Sequence, residues 1–129
     1  MAQDYTKVAS DDLQAWWIGA RRKLVRSGKY DDCLPRLDKT IESGLCVVFL
    51  CDMAKTWVMF SPAEGCLWLE FLWSEKAGFI GRCMPYLLDV MAIGGYSRCM
   101  TKAYTKAHRR LYARYFTALG KDIFLLSGE

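Results

Sequence analysis

Residues 45–73, LCVVFLCDMAKTWVMFSPAEGCLWLEFLW, decide the fold class. Three runs in this stretch are rich in β-branched and aromatic residues: Leu45 to Cys51, Lys55 to Phe60 and Cys66 to Trp73. Each has the length of a strand. The separators, Asp52-Met53-Ala54 and Ser61-Pro62-Ala63-Glu64-Gly65, are long enough only to reverse the chain. Runs and turns of these lengths predict an antiparallel meander. One charge interrupts the last run: Glu70 alternates with Trp68 and Leu72 on one face of its strand. A carboxylate in an apolar strand is exposed, paired or functional, because burying it alone is costly.

The pattern changes period on both sides of the meander. Upstream, Leu13, Trp16, Trp17, Ala20 and Leu24 recur at helical spacing, with Asp11 and Asp12 ahead of them and Gly28 behind. Leu34, Leu37 and Ile41 form a second helical stripe, with Pro35 in its first turn and Ser43-Gly44 closing it. Residues 1–10 read as a loose lead-in. Downstream, Met84, Leu87, Leu88, Met91 and Ala92 predict a helix ended by Gly94-Gly95, with Pro85 in its first turn. Tyr96 to Tyr104 reads as a strand. Thr105 is placed to cap a helix carrying Leu111, Tyr115, Ala118 and Leu119, with Gly120 at its end, and Asp122 to Leu126 reads as a last strand. The order α-α-β-β-β-α-β-α-β predicts an α/β chain with a mixed, mostly antiparallel sheet and helices on both faces. With 129 residues it is the size of one domain, spanning 1–129.

Composition narrows the class. Hydrophobic residues make up 53% and charged residues 25%, which is globular rather than disordered usage. The opening MAQDYTKVASDDLQ carries early acids and no apolar segment of signal type, and no window of about 18 apolar residues occurs. A cytoplasmic protein, with no membrane partner, is the expectation. Cys33, Cys46, Cys51, Cys66, Cys83 and Cys99 include no C-x-x-C pair and read as small hydrophobes rather than metal ligands, so no metal is expected. The net charge of +4 is local. One basic cluster is Arg21, Arg22, Lys23, Arg26 and Lys29, and the other runs from Arg98 through Lys102, Lys106, Arg109 and Arg110 to Arg114. Such surfaces attract nucleic acid, acidic protein or a phosphorylated cofactor, and charge alone does not choose.

The element order, with a Gly-containing turn after the third strand, resembles the GNAT superfamily of acyl-CoA N-acetyltransferases. The stretch Lys76-Ala77-Gly78-Phe79-Ile80-Gly81-Arg82 resembles that family's pyrophosphate loop, usually Q/R-x-x-G-x-G/A. Lys76 takes the basic position and Gly81 the final glycine, while Phe79 stands where the middle glycine is usual and Gly78 is adjacent. The physical logic of such a loop is general: unpaired N–H groups at a helix N-terminus face an anion, and glycine permits close approach. Arg114-Tyr115-Phe116-Thr117-Ala118-Leu119-Gly120 resembles the family's late helix, where a tyrosine often protonates the leaving thiolate. In that register Phe116 occupies the tyrosine position and cannot donate a proton, so the role passes to Tyr112 or Tyr115 or is lost; Phe116 itself reads as packing. The resemblance implies that Glu70 deprotonates the acceptor amine, directly or through water.

The resemblance covers residues 45 to 126 and extends to small phage-encoded acetyltransferase-like proteins, which would place the chain in a host cytoplasm. It implies acetyl-CoA or another acyl-CoA as cofactor, a protein or small-molecule amine as acceptor, and direct attack on the thioester. A second reading stays open: a GNAT-like protein without catalysis that modulates a partner (host) protein, favoured by Phe79 and Phe116. A third is nucleic-acid binding by the basic, tyrosine-bearing segment 98–114. His108, the one histidine, sits among Lys106, Arg109 and Arg110 and reads as a surface residue. Trp16 and Trp17 diverge by about 100° on a helix, so one ring is expected in solvent as a partner or dimer contact.

Overall fold

The computed structural model describes residues 5–51, 56–63, 66–75, 91–92, 95–103, 105–120 and 122–127. Strand β1 (Tyr5–Lys7) and a 3-10 turn (Ser10–Asp12) lead into helices α1 (Leu13–Ser27) and α2 (Leu34–Ser43). Strands β2 (Val47–Cys51), β3 (Thr56–Ala63) and β4 (Cys66–Ser74) follow. Then come β5 (Arg98–Lys102), α3 (Lys106–Tyr115), β6 (Thr117–Ala118) and β7 (Ile123–Ser127). The strands form one sheet in the order β1-β2-β3-β4-β5-β7-β6. Every described neighbour pair is antiparallel except β4 with β5. The chain is therefore a mixed α/β fold, and the expected meander is β2-β3-β4. Most of the helical stripe at 84–92 lies outside the described residues; Met91 and Ala92 are helical.

Local chemistry accounts for the helices. Leu13, Trp17, Ala20 and Leu24 are the buried face of α1, and Leu34, Leu37 and Ile41 that of α2. Gly28 and Gly44 end these helices at φ 68° and 69°, the left-handed region that glycine enters without a Cβ penalty. Thr105 caps α3: its hydroxyl accepts from the His108 N–H at 3.0 Å. Replacing Thr105→Ala is expected to cost about 1 kcal/mol in urea unfolding, as loss of a cap does. Asp12 stands at the N-cap of α1 without a capping bond from its side chain.

Three boundaries differ from expectation by three residues or more, each for a non-local reason. Tyr5–Lys7 is a strand, not a lead-in, because it pairs with Phe49–Cys51, and the Val8 N–H continues the contact to the Val48 carbonyl. β3 runs through Ser61-Pro62-Ala63, which pair with Trp68, Leu67 and Cys66. Its described pairing with β2 ends at Phe60, so Pro62 lies where one side of the strand carries no ladder, a position proline tolerates. The last helix stops at Tyr115. Phe116 is extended at φ −118°, ψ 158°, which buries its ring against Tyr112, and Thr117–Ala118 then pair with β7.

Two cores sandwich the sheet. Val48, Met59 and Phe71 are direct cross-strand partners, hence on one face, and they pack with Leu13, Trp17, Leu24, Leu37 and Ile41 of α1 and α2. The adjacent row, Phe49, Val58 and Leu72, points the other way. Val58 and Leu72 belong to a second cluster with Phe60, Leu69, Met91, Tyr112, Phe116 and Phe124. Trp17 is buried and its indole N–H donates to Asp38 Oδ1 at 2.7 Å. Arg21 reaches the same carboxylate through Nε at 2.9 Å and Nη2 at 3.1 Å, tying α1 to α2. The Arg21 hydrogen bond holds the Asp38 carboxyl below its usual range. Trp16 is half-buried, edge-on to Trp57 at 5.1 Å, so neither ring stands free in solvent as expected from their divergence.

Cys33, Cys46, Cys51, Cys66 and Cys99 are free and buried, and Cys83 lies outside the described residues. Burial pushes the Cys99 thiol up to about 12. Among the described residues no three His, Cys, Asp or Glu side chains cluster, and no helix is long and apolar enough to cross a membrane.

Candidate functional site

Among the described strands, the register shifts at Glu70. Met59 pairs with Phe71, yet the next residue of β3, Phe60, pairs with Leu69. Glu70 is the extra residue of a β-bulge. A bulge bends its strand and re-aims a side chain. The other edge of β4 also changes at this point. The parallel pairing with β5 covers only Leu67–Cys99, Trp68–Met100 and Leu69–Thr101. Thr101, fully buried, locks the last pair by donating its hydroxyl to the Leu69 carbonyl at 2.9 Å. Beyond it β4 stays with β3 to Ser74, and no described strand pairs with it on the β5 side. From the bulged glutamate to Ser74 the β5 side of β4 is thus open among the described strands, β5 itself ending at Lys102.

Arg36 of α2 holds that glutamate. Its Nη1 donates to Glu70 Oε1 at 2.7 Å and its Nη2 to the Glu70 backbone carbonyl at 3.0 Å. The two side chains are 30% and 15% exposed. One guanidinium thus fixes both the carboxylate and the backbone of the bulge. The pair borders an open groove of about 510 Å³ lined by α2 residues Arg36 and Lys39 and by Leu45, Pro62 and Glu70. Glu70 is therefore paired, one of the outcomes open to a charge in an apolar strand.

On the side of α3, the structure corrects the placement of His108. It is 4% exposed, not a surface residue. Its ring stacks near Tyr112 at 5.6 Å and Tyr30 at 6.0 Å and meets the edge of Phe71 at 5.0 Å. Burial pushes its pKa down to about 4, against the upward pull of a backbone hydrogen bond to Leu72. The cause is desolvation, not the basic neighbours on its helix, which point outward. Tyr112 is buried in the core beside Phe116 and Phe124, at 5.3 and 5.8 Å. Tyr115 is 41% exposed. The two tyrosines named as candidate acids thus occupy different environments on one helix. Phe116 is 7% exposed and packs, as read. The loop Lys76, Gly78, Phe79, Ile80, Gly81 and Arg82 lies outside the described residues.

The basic clusters are partly neutralised. Arg21 is bound by Asp38, Lys23 lies 3.7 Å from Glu75, and Arg109 donates to Asp122 at 2.7 Å, joining α3 to the start of β7. Sequence reasoning missed two residues of the site region. Arg36 gave no signal, because its partner is 34 positions away. His108 gave one: it lies four residues before Tyr112, on the stripe that α3 buries. Compared with protein-family models and with curated proteins, the chain matches none.

Proposed function

We propose that the protein is an acyl-CoA-dependent N-acyltransferase of the GNAT type, moving an acetyl group to an amine on a protein or small molecule. The observation that carries this reading is the opening of the sheet between β4 and β5 beside the bulged Glu70. A strand edge with no strand beside it offers N–H and C=O groups to an extended chain bearing amides, as in strand addition. The acyl donor's arm is such a chain. Bound there, acetyl-CoA supplies the activated acyl group. The seven-strand order with one parallel pair, and the meander ahead of it, support the same reading.

In this reading Glu70 takes the proton of the attacking amine, a role supported by its position at the mouth of the opening and beside the α2 groove. To do so it must release the 2.7 Å bond from Arg36 Nη1. Tyr115, exposed on α3, is the freer of the two candidate acids for the departing thiolate. The Arg36–Glu70 pair also favours a second reading, in which the chain keeps the fold and a ligand but contacts a partner protein without catalysis. A carboxylate engaged by guanidinium on both side chain and backbone serves structure well.

Calorimetric titration with acetyl-CoA tests the proposal. Wild-type protein is expected to bind, and Gly81→Glu, which puts a carboxylate into the 76–82 loop, is expected to abolish binding. Glu70→Gln is expected to bind normally and to lose about 100-fold or more in acyl transfer, read as thiol release with an amine panel. Binding with no transfer to any amine selects the second reading. No binding at millimolar acetyl-CoA overturns both the cofactor and the enzyme.

A further inference from the structure

Helix α1 carries a notch along the edge of the face it turns to the sheet, where Trp16 is half-buried and Gly19 and Lys23 are exposed. Trp16 and Lys23 are seven residues apart, two turns or about 10 Å along the axis, so they share a face. Gly19 lies between them, and a Cβ there would meet no atom within 4 Å. Below lie Trp57 and Trp73, cross-strand partners whose rings are 6.5 Å apart. Trp16 walls one end, edge-on to Trp57 at 5.1 Å. Two clefts of about 250 and 170 Å³ adjoin here, and both are bordered by Trp16, Lys23, Trp57 and Trp73.

The other end is closed by a cation. The Lys23 ammonium sits 5.7 Å from the centroid of Trp73 and 3.7 Å from the Glu75 carboxylate. The protein's own side chain therefore shows what this seat accepts: a positive group against an indole face, with a carboxylate beside it. Lys23 holds the seat loosely. Its side chain is 53% exposed and that of Glu75 is 48% exposed, and exposed pairs of this kind contribute little.

We propose that this notch binds an alkylammonium group, a quaternary ammonium above all, and that Lys23 is a resident stand-in which the ligand displaces. Indole faces attract cations more strongly than other aromatic rings, and aromatic walls are the usual seat of quaternary ammonium. A methylated ammonium is more weakly hydrated than the lysine ammonium, so it loses less on leaving water. Glu75 supplies the counter-charge. The absent side chain at Gly19 supplies the room. An anion would meet Glu75 and the negative faces of the rings. The proposal does not rest on the acyltransferase reading: Trp73 lies on the stretch of β4 that borders the opening, but its ring meets Trp57 and Lys23 of α1, and no step of acyl transfer uses it.

The group has two sources, a free small molecule or a methylated lysine on a protein, and the test separates them. The intact protein is titrated calorimetrically with choline and with a short peptide carrying trimethyllysine. Saturable binding of either is expected, and the tighter arm identifies the source. Lys23→Met, which vacates the seat, is expected to tighten binding several-fold, while Trp73→Leu weakens it by about tenfold or more. Gly19→Leu fills the notch and is expected to abolish binding; leucine is the better helix former, so α1 is retained, which circular dichroism checks. The proposal is overturned if neither probe binds wild-type or Lys23→Met protein at 10 mM (about the limit of a useful site). It is equally overturned if Gly19→Leu binds unchanged, or if 3,3-dimethylbutanol, the neutral carbon analogue of choline, binds as tightly.

Discussion

Lowering the pH from 7 to 4 is expected to cost the fold on the order of 3 kcal/mol through His108 alone. Its pKa falls from an ordinary 6.5 to about 4 on burial. Between those values the unfolded chain binds a proton that the folded chain refuses, so stability falls as pH falls. The contribution is fully present above 6.5, declines as the pH passes down through 6.5, and is fully lost near 4. Below that point Asp38 takes over: its carboxyl is held down by Arg21, and its contribution is lost only as acid reaches the folded value. Among the described residues, the histidine is the group whose shift falls in the interval from pH 6.5 to 4. Urea unfolding at half-unit pH steps measures it. His108→Gln is expected to flatten the curve over this interval while leaving the steeper acid limb below pH 4. An unchanged slope in the variant would show that the imidazole is not the group responsible.

Phe71→Ala is expected to remove about 3–5 kcal/mol, the range for deleting a buried phenyl ring. Phe71 is 1% exposed and meets three rings: Tyr30 at 5.2 Å, Trp57 at 5.7 Å and His108 at 5.0 Å. It thus joins the residues leading into α2, the sheet under α1 and helix α3 at a single point. The loss is a large share of the roughly 5–15 kcal/mol that holds a domain together. Phe49, half-buried on the opposite face of β2, serves as the control and is expected to lose much less when cut to alanine. Because Phe71 forms part of the wall that keeps water from His108, its removal should also let the imidazole titrate higher. The acid loss of Phe71→Ala is then smaller than that of the wild type. Equal acid losses would mean that the His108 shift arises elsewhere.

Several features of the fold were legible because they are written in short-range periodicity. The alternating runs of 45–73 appear as β2, β3 and β4. The stripes of α1 and α2 are buried except for half-buried Trp16, and Gly28 and Gly44 close those helices in the left-handed conformation that needs them. Thr105 caps α3 as its position implies. Each depends on residues within a few positions of one another.

The sequence by itself determined the secondary-structure framework: an apolar meander between amphipathic helices, with the five described cysteines used as buried hydrophobes. Tertiary structure alone decided what lies at its centre. A bulge exists only when a partner strand skips a residue, so nothing around Glu70 announces that Phe60 will pair with Leu69. Arg36 becomes the holder of Glu70 only after α2 has packed over the meander. The spacing of His108 and Tyr112 marks them as one stripe of α3, but that the imidazole meets Phe71 and Tyr30 there follows only from the packing. Three-residue β1 and two-residue β6 are too short to show a period, and each exists because a neighbouring strand supplies its hydrogen bonds. Periodicity records which face of an element prefers water. Which groups then meet, and where the sheet parts, is settled by contacts between residues far apart in the chain.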